Sequence, residues 1–154
     1  MKPFKVLYIC THNRCRSQLY QAVTNELGKG IVIAESAGSS PEDRVNADAI
    51  KLLERNHIAT DSLTSKSWND VADFTPDLII TVCDSAAGEV CPVWFGDTPK
   101  LHWPTPDPSK LTGTDEEIEQ AFDEAMVFIK HKVQSSDFMA LVANHAPDLG
   151  KELS

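Results

Sequence analysis

At 154 residues with 42% hydrophobic side chains, the chain has the length of one domain and enough apolar content for a single core. A formal net charge of −9 and a pI near 4.9 argue against nucleic acid or an anionic membrane as partner, so any anion must be captured by a local field. Met1-Lys2-Pro3 runs straight into an apolar stretch too short for a signal sequence or a membrane span, and a cytoplasmic location is expected. Cys10, Cys15, Cys83 and Cys91 are then expected to stay reduced and open to chemistry.

Phe4 to Ile9 is a run of β-formers and reads as a first, buried strand. A polar loop follows, then Leu19, Tyr20, Ala22, Val23 and Leu27 at helical spacing, with Gly28 as the stop. Ile31 to Ala34 reads as a second strand, and Val45, Ala49, Leu52 and Leu53 mark a helix that fades at Asn56. Leu78 to Val82 is the third strand and Lys100 to Trp103 a short fourth, followed by the rigid loop Thr105-Pro106-Asp107-Pro108. Thr114 and Glu117 match a capping box for a last helix whose apolar stripe is Ile118, Phe122, Ala125, Ile129 and Val133, with Lys130, His131 and Lys132 at its negative end. Alternating strands and helices predict an α/β fold: a single three-layer domain, residues 1–154, with a four-stranded parallel sheet flanked by helices. The pattern leaves open the structure of the tail, 137–154.

Ligands of open α/β sheets bind beyond the C-terminal strand ends, which is where Cys10 falls. Five residues separate it from Arg16, enough for backbone N–H groups to curl inward while the guanidinium closes the ring with a planar fork. Thr11, His12, Asn13, Arg14, Cys15, Arg16 and Ser17 would thus cradle a tetrahedral oxyanion at the positive end of the first helix. The same field should lower the thiol pKa of Cys10 below its ordinary value, making it a nucleophile. Asn13 can brace the tight loop, the Ser17 hydroxyl can meet the thiolate, and His12 adds positive character only when protonated.

Cys10-Thr11-His12-Asn13-Arg14-Cys15-Arg16-Ser17 closely resembles the active-site loop of low-molecular-weight protein tyrosine phosphatases and of the thioredoxin-coupled arsenate reductases that share their fold. Ser36-Ala37-Gly38, the segment around Thr81-Val82-Cys83-Asp84, and Asp107-Pro108 match the same superfamily, so the likeness spans most of the chain. Phosphate-ester hydrolysis would need only Cys10, the loop with Arg16, and Asp107 as the acid for the leaving oxygen. Reduction of arsenate needs two electrons, and the segment from Cys83 to Cys91 resembles the redox segment of the reductases, with one residue more between the cysteines. The resemblance implies that Cys10 attacks arsenic, Cys83 attacks the adduct and releases arsenite, and Cys91 resolves the product into a Cys83–Cys91 bridge that thioredoxin reduces. Ser109 and Lys110 follow Asp107-Pro108 where phosphatases of this fold carry an aromatic residue, which tilts away from phosphotyrosine.

Three alternatives remain at this level. A phosphatase acting through a Cys10 phosphoenzyme uses the same loop, and a thiol redox sensor would use Cys10 and a resolving thiol without turnover. A metal module built on Cys83, Cys91 and His102 lacks the tight C-x2-C pairs of zinc sites, and neither a metal nor a tightly bound cofactor is expected. Cys15 reads as loop structure or a protective partner, and Trp68, Trp94 and Trp103 as core or core-edge residues.

Overall fold

Val6, Leu7, Tyr8 and Ile9 are each 0 or 1% exposed, so the first strand must be covered on both of its faces. In a computed structural model that describes residues 3–83 and 95–153, this strand, β1 (Phe4–Ile9), lies inside a parallel sheet of order β2-β1-β3-β4. The others are β2 (Val32–Ala37), β3 (Leu78–Thr81) and β4 (Lys100–His102). Ile9 pairs with Ala37 on one side and Thr81 on the other, which ends three strands at one level. The loops after those strands therefore converge beside Cys10. This is the expected α/β architecture.

Four α-helices are described: α1 (Arg16–Leu27), α2 (Ala47–Arg55), α3 (Asp115–Val133) and α4 (Ser136–Leu153). Tyr20 of α1 stacks on Tyr8 with ring centroids 5.0 Å apart, and Phe138 of α4 meets Trp103 edge-on at 5.6 Å, so both helices cover the Tyr8 side of the sheet. Arg55 at the end of α2 pairs with Asp123 of α3 at 2.9 Å. The Thr114–Glu117 capping box starts α3 as expected, and Phe122, Ala125, Met126, Ile129 and Val133 are its buried stripe.

The structure differs from the expected elements at three places. β2 begins after Ile31, because Ile31 and Val32 both donate to the Gly28 carbonyl in a turn, and it continues through Ala37 to stay paired with β1. Trp68–Phe74 forms 3₁₀ turns started by a Ser67–Asp70 capping box, an element not among those expected. The tail left open is helical: among the described side chains Phe138 and Val142 are buried, and Phe138 anchors α4 on Trp103. No helix among the described residues is long and apolar enough to cross a membrane.

Candidate active site

The loop from Cys10 to Ser17 is held from behind by a buried polar network centred on Asn13. Asn13 is fully buried with φ 48°, in the left-handed region that asparagine tolerates better than most residues. Its side-chain amide donates to the hydroxyls of Ser17 and Ser36, both at 2.9 Å, and its Oδ1 accepts from the Lys66 amide at 2.9 Å. The buried Gln18 amide donates to the Asn13 carbonyl at 2.9 Å and to the Thr64 carbonyl at 2.7 Å. Ser36 in turn donates to Gln21 Oε1 at 2.6 Å. Asn13 and Ser17 therefore shape the loop from its core side. Ser17 serves Asn13 here, rather than the cysteine sulfur expected for it.

Neighbouring backbone fixes the outer side. Ser40, Glu42 and Asn46 donate their amides to the carbonyls of Thr11, His12 and Arg14 at 2.9, 3.0 and 2.7 Å. Those carbonyls are thereby occupied outside the ring. A Cβ on Gly38 would collide with the Thr11 carbonyl and lie 2.7 Å from the Cys10 carbonyl, so only glycine lets the chain after β2 pass. No side chain caps α1 at Cys15, which leaves the positive end of the helix available to an anion.

The cavity over the loop measures about 220 Å³ and is lined by Cys10, His12, Arg14, Cys15, Arg16, Glu42, Asp107, Ser109 and Lys110. Thr11, Asn13 and Ser17 do not line it, so of the expected cradle only His12, Arg14, Cys15 and Arg16 present side chains there, with Cys10 beneath them. Arg16 donates from Nη1 to the Thr105 carbonyl at 3.0 Å, and its Nη2 lies 3.5 Å from Asp107 Oδ2. Its buried Nε has no hydrogen-bond partner among the described residues. Asp107 is oriented in turn, because its Oδ1 accepts from the Ser109 amide at 2.9 Å and hydroxyl at 2.6 Å. His12 is half-exposed at the rim, 4.0 Å from Glu42. Ser109, Lys110 and Glu42 were not foreseen as site residues; Asp107-Pro108 placed the first two near the acid, while nothing local pointed to Glu42.

Cys83 reaches the same place from β3. Its sulfur accepts from the Thr11 amide at 3.4 Å and lies 3.5 Å from the Thr11 hydroxyl, and the Cys10 thiol is hydrogen-bonded to it. The structure corrects the expectation that the Cys10 thiol pKa falls. The hydrogen bond with Cys83 holds it above the ordinary thiol value and burial adds to that, while Arg16 and the His12 backbone amide pull the other way. Cys15 is pushed up to about 12, chiefly by burial and then by Asp107, which leaves it a poor nucleophile. Cys91, the last residue of the expected relay, and Trp94 lie outside the described residues. Among the described residues, no group of three His, Cys, Asp or Glu side chains is arranged to hold a metal ion.

An anion-sized hollow over a cysteine, with an arginine fork and an oriented aspartate at its edge, on a β2-β1-β3-β4 sheet, defines a class. The chain belongs to the low molecular weight phosphotyrosine protein phosphatase family, whose sequence model matches residues 5–143. Within that family it is similar to the arsenate reductase of Halalkalibacterium halodurans, 34% identical over 114 residues that make up 73% of this chain and 81% of that protein. Among solved structures, the arsenate reductase of Archaeoglobus fulgidus superposes with a TM-score of 0.66 at 27% identity, covering 84% of this chain and 99% of that one. A thioredoxin-dependent arsenate reductase of Corynebacterium glutamicum gives 0.63 at 26% identity, covering 86% of this chain and 62% of that one.

Proposed function

We propose that this protein reduces arsenate to arsenite in the cytoplasm, with Cys10 as nucleophile, Cys83 and Cys91 as a disulfide relay, and thioredoxin as the reductant. The observation that carries this reading is a second thiol against the oxyanion loop: the Cys83 sulfur accepts from the Thr11 amide at 3.4 Å, one residue beyond Cys10, and is hydrogen-bonded to the Cys10 thiol. Hydrolysis of a phosphate ester needs one sulfur there, whereas a two-electron reduction needs two.

Arsenate enters the cavity and takes hydrogen bonds from the loop amides and from Arg16, including the buried Nε that otherwise has no partner. As the Cys10 sulfur attacks arsenic its thiol proton is given up and an arsenate hydroxyl leaves as water, with Asp107, turned toward Arg16, as the residue that hands that proton to the leaving oxygen. Cys83 then attacks the Cys10 sulfur; the S–As bond breaks, its electron pair stays on arsenic, and arsenite departs as a Cys10–Cys83 disulfide forms. Cys91 attacks Cys83, which frees Cys10 and moves the disulfide to Cys83–Cys91 for reduction by the thioredoxin dithiol. Disulfide-linked Cα atoms lie within about 7 Å, so each transfer demands a close approach of the next cysteine.

The test couples arsenate reduction to NADPH oxidation through thioredoxin and its reductase, beside hydrolysis of an aryl phosphate by the same preparation. Arsenate-dependent turnover far above phosphatase turnover is expected. Cys10→Ser should abolish both activities; Cys83→Ser and Cys91→Ser should abolish reduction and spare the slow hydrolysis. Full reductase activity in Cys91→Ser overturns the relay, a single turnover without steady state makes the protein a sensor, and vigorous hydrolysis with no reduction makes it a phosphatase.

A further inference from the structure

Among the described residues, Arg16 is aimed by two contacts. Its fork is held by the Thr105 carbonyl at 3.0 Å and by Asp107 at 3.5 Å, so its direction follows wherever the loop after β4 puts Thr105. Thr105 is buried, and its amide donates to the Val82 carbonyl at 3.2 Å. Its hydroxyl donates to the Trp103 carbonyl at 2.9 Å. That hydroxyl has one proton, already given, so the Tyr20 hydroxyl 2.8 Å away must be the donor to it.

Tyr20 stands four residues after Arg16 on α1, on the same side of the helix. The helix that carries the arginine thus also holds, through the Thr105 hydroxyl, the residue whose carbonyl the arginine binds, closing a ring from Arg16 through Thr105 and Tyr20 back along α1. The tyrosine ring cannot swing, being stacked on Tyr8 and packed against Trp103 at 5.9 Å. Burial pushes its hydroxyl pKa up to about 12, so it remains a donor at any pH where the enzyme works. A phenylalanine ring would fill the same space, so the oxygen answers a need other than packing.

We infer that Tyr20 is a positioning residue for oxyanion binding, acting through Thr105 to set the guanidinium fork of Arg16. The inference rests on the oxyanion-pocket reading above and adds a residue to it. Losing one buried hydrogen bond that sets the fork should weaken anion binding about five- to tenfold. Helix and core should be kept.

The experiment reads phosphate binding without turnover, as protection of Cys10 from alkylation by iodoacetamide. Tyr20→Phe should raise the half-protecting phosphate concentration by that factor. Thr105→Val should do the same from the other side of the contact, and Thr105→Ser should behave as wild type. The decisive arm repeats Tyr20→Phe in Arg16→Lys, titrated to higher phosphate to suit the weaker site. An effect confined to the arginine background supports positioning through the fork, because lysine keeps the charge and lacks the fork. Equal weakening in both backgrounds, or none in either, overturns it. If phosphate fails to protect the wild type, the oxyanion reading falls with it; if the wild type is protected and Tyr20→Phe equally so, only the role of Tyr20 falls.

Discussion

Cys10 meets two opposed influences. Arg16 and the His12 amide favour its thiolate, while Cys83 and burial favour its thiol, and the second pair prevails in this arrangement. Removing Cys83 should therefore release the effect of the loop. In Cys83→Ser the pH profile of iodoacetamide reaction at Cys10 is expected to move to lower pH than in wild type, since the largest upward cause is gone and a serine hydroxyl can donate to the thiolate. An unmoved profile would show that Cys83 does not govern the nucleophile. The sign also separates the cysteines. Cys15, raised chiefly by its burial, should stay unreactive in both proteins.

At the level of elements, the site exists because the ends of β1, β2 and β3 lie level, and Gly38 lets the β2 exit touch the loop. Gly38→Ala would set a methyl against backbone atoms of Thr11, Cys10 and Asn13, none of which can rotate away. We expect it to lower stability by about 1–3 kcal/mol in urea unfolding and to weaken phosphate protection of Cys10, because relief requires the loop itself to shift. The β1–loop–α1 unit was legible in sequence because its strand period, its cysteine and arginine and its helix are contiguous. What stayed hidden was set by distant partners. Gln18 is buried because it reaches Thr64, 46 residues on, and the Cys10 pKa is raised by a sulfur whose contact with Thr11 spans 72 residues. α4 stayed ambiguous because its anchor is Phe138 on Trp103, a tertiary contact with no periodic signature.

Across the whole molecule, the polar groups buried near the sheet tie stability to alkaline pH. Cys15 and Tyr20 are both raised to about 12, from ordinary values of 9.0 and 10.0, chiefly by burial, and Cys10 and Tyr8 are shifted in the same direction. Each such group keeps its proton when folded and loses it when unfolded between those two values. The unfolded state then binds fewer protons, so the free energy of unfolding falls as pH rises, by up to about 1.4 kcal/mol per pH unit for each group. Stability from these groups is thus fully present below pH 9, declines from about pH 9 as the cysteines engage, and declines more steeply above pH 10 when the tyrosines join. Urea unfolding under reducing conditions at pH 8, 9, 10 and 11 should show that acceleration. Cys15→Ala should lessen the decline from pH 9 upward, and Tyr20→Phe only the part above 10. A stability that is level from pH 8 to 11 would mean that these side chains reach water in the folded protein, against the burial on which the packing of α1 over β1 depends.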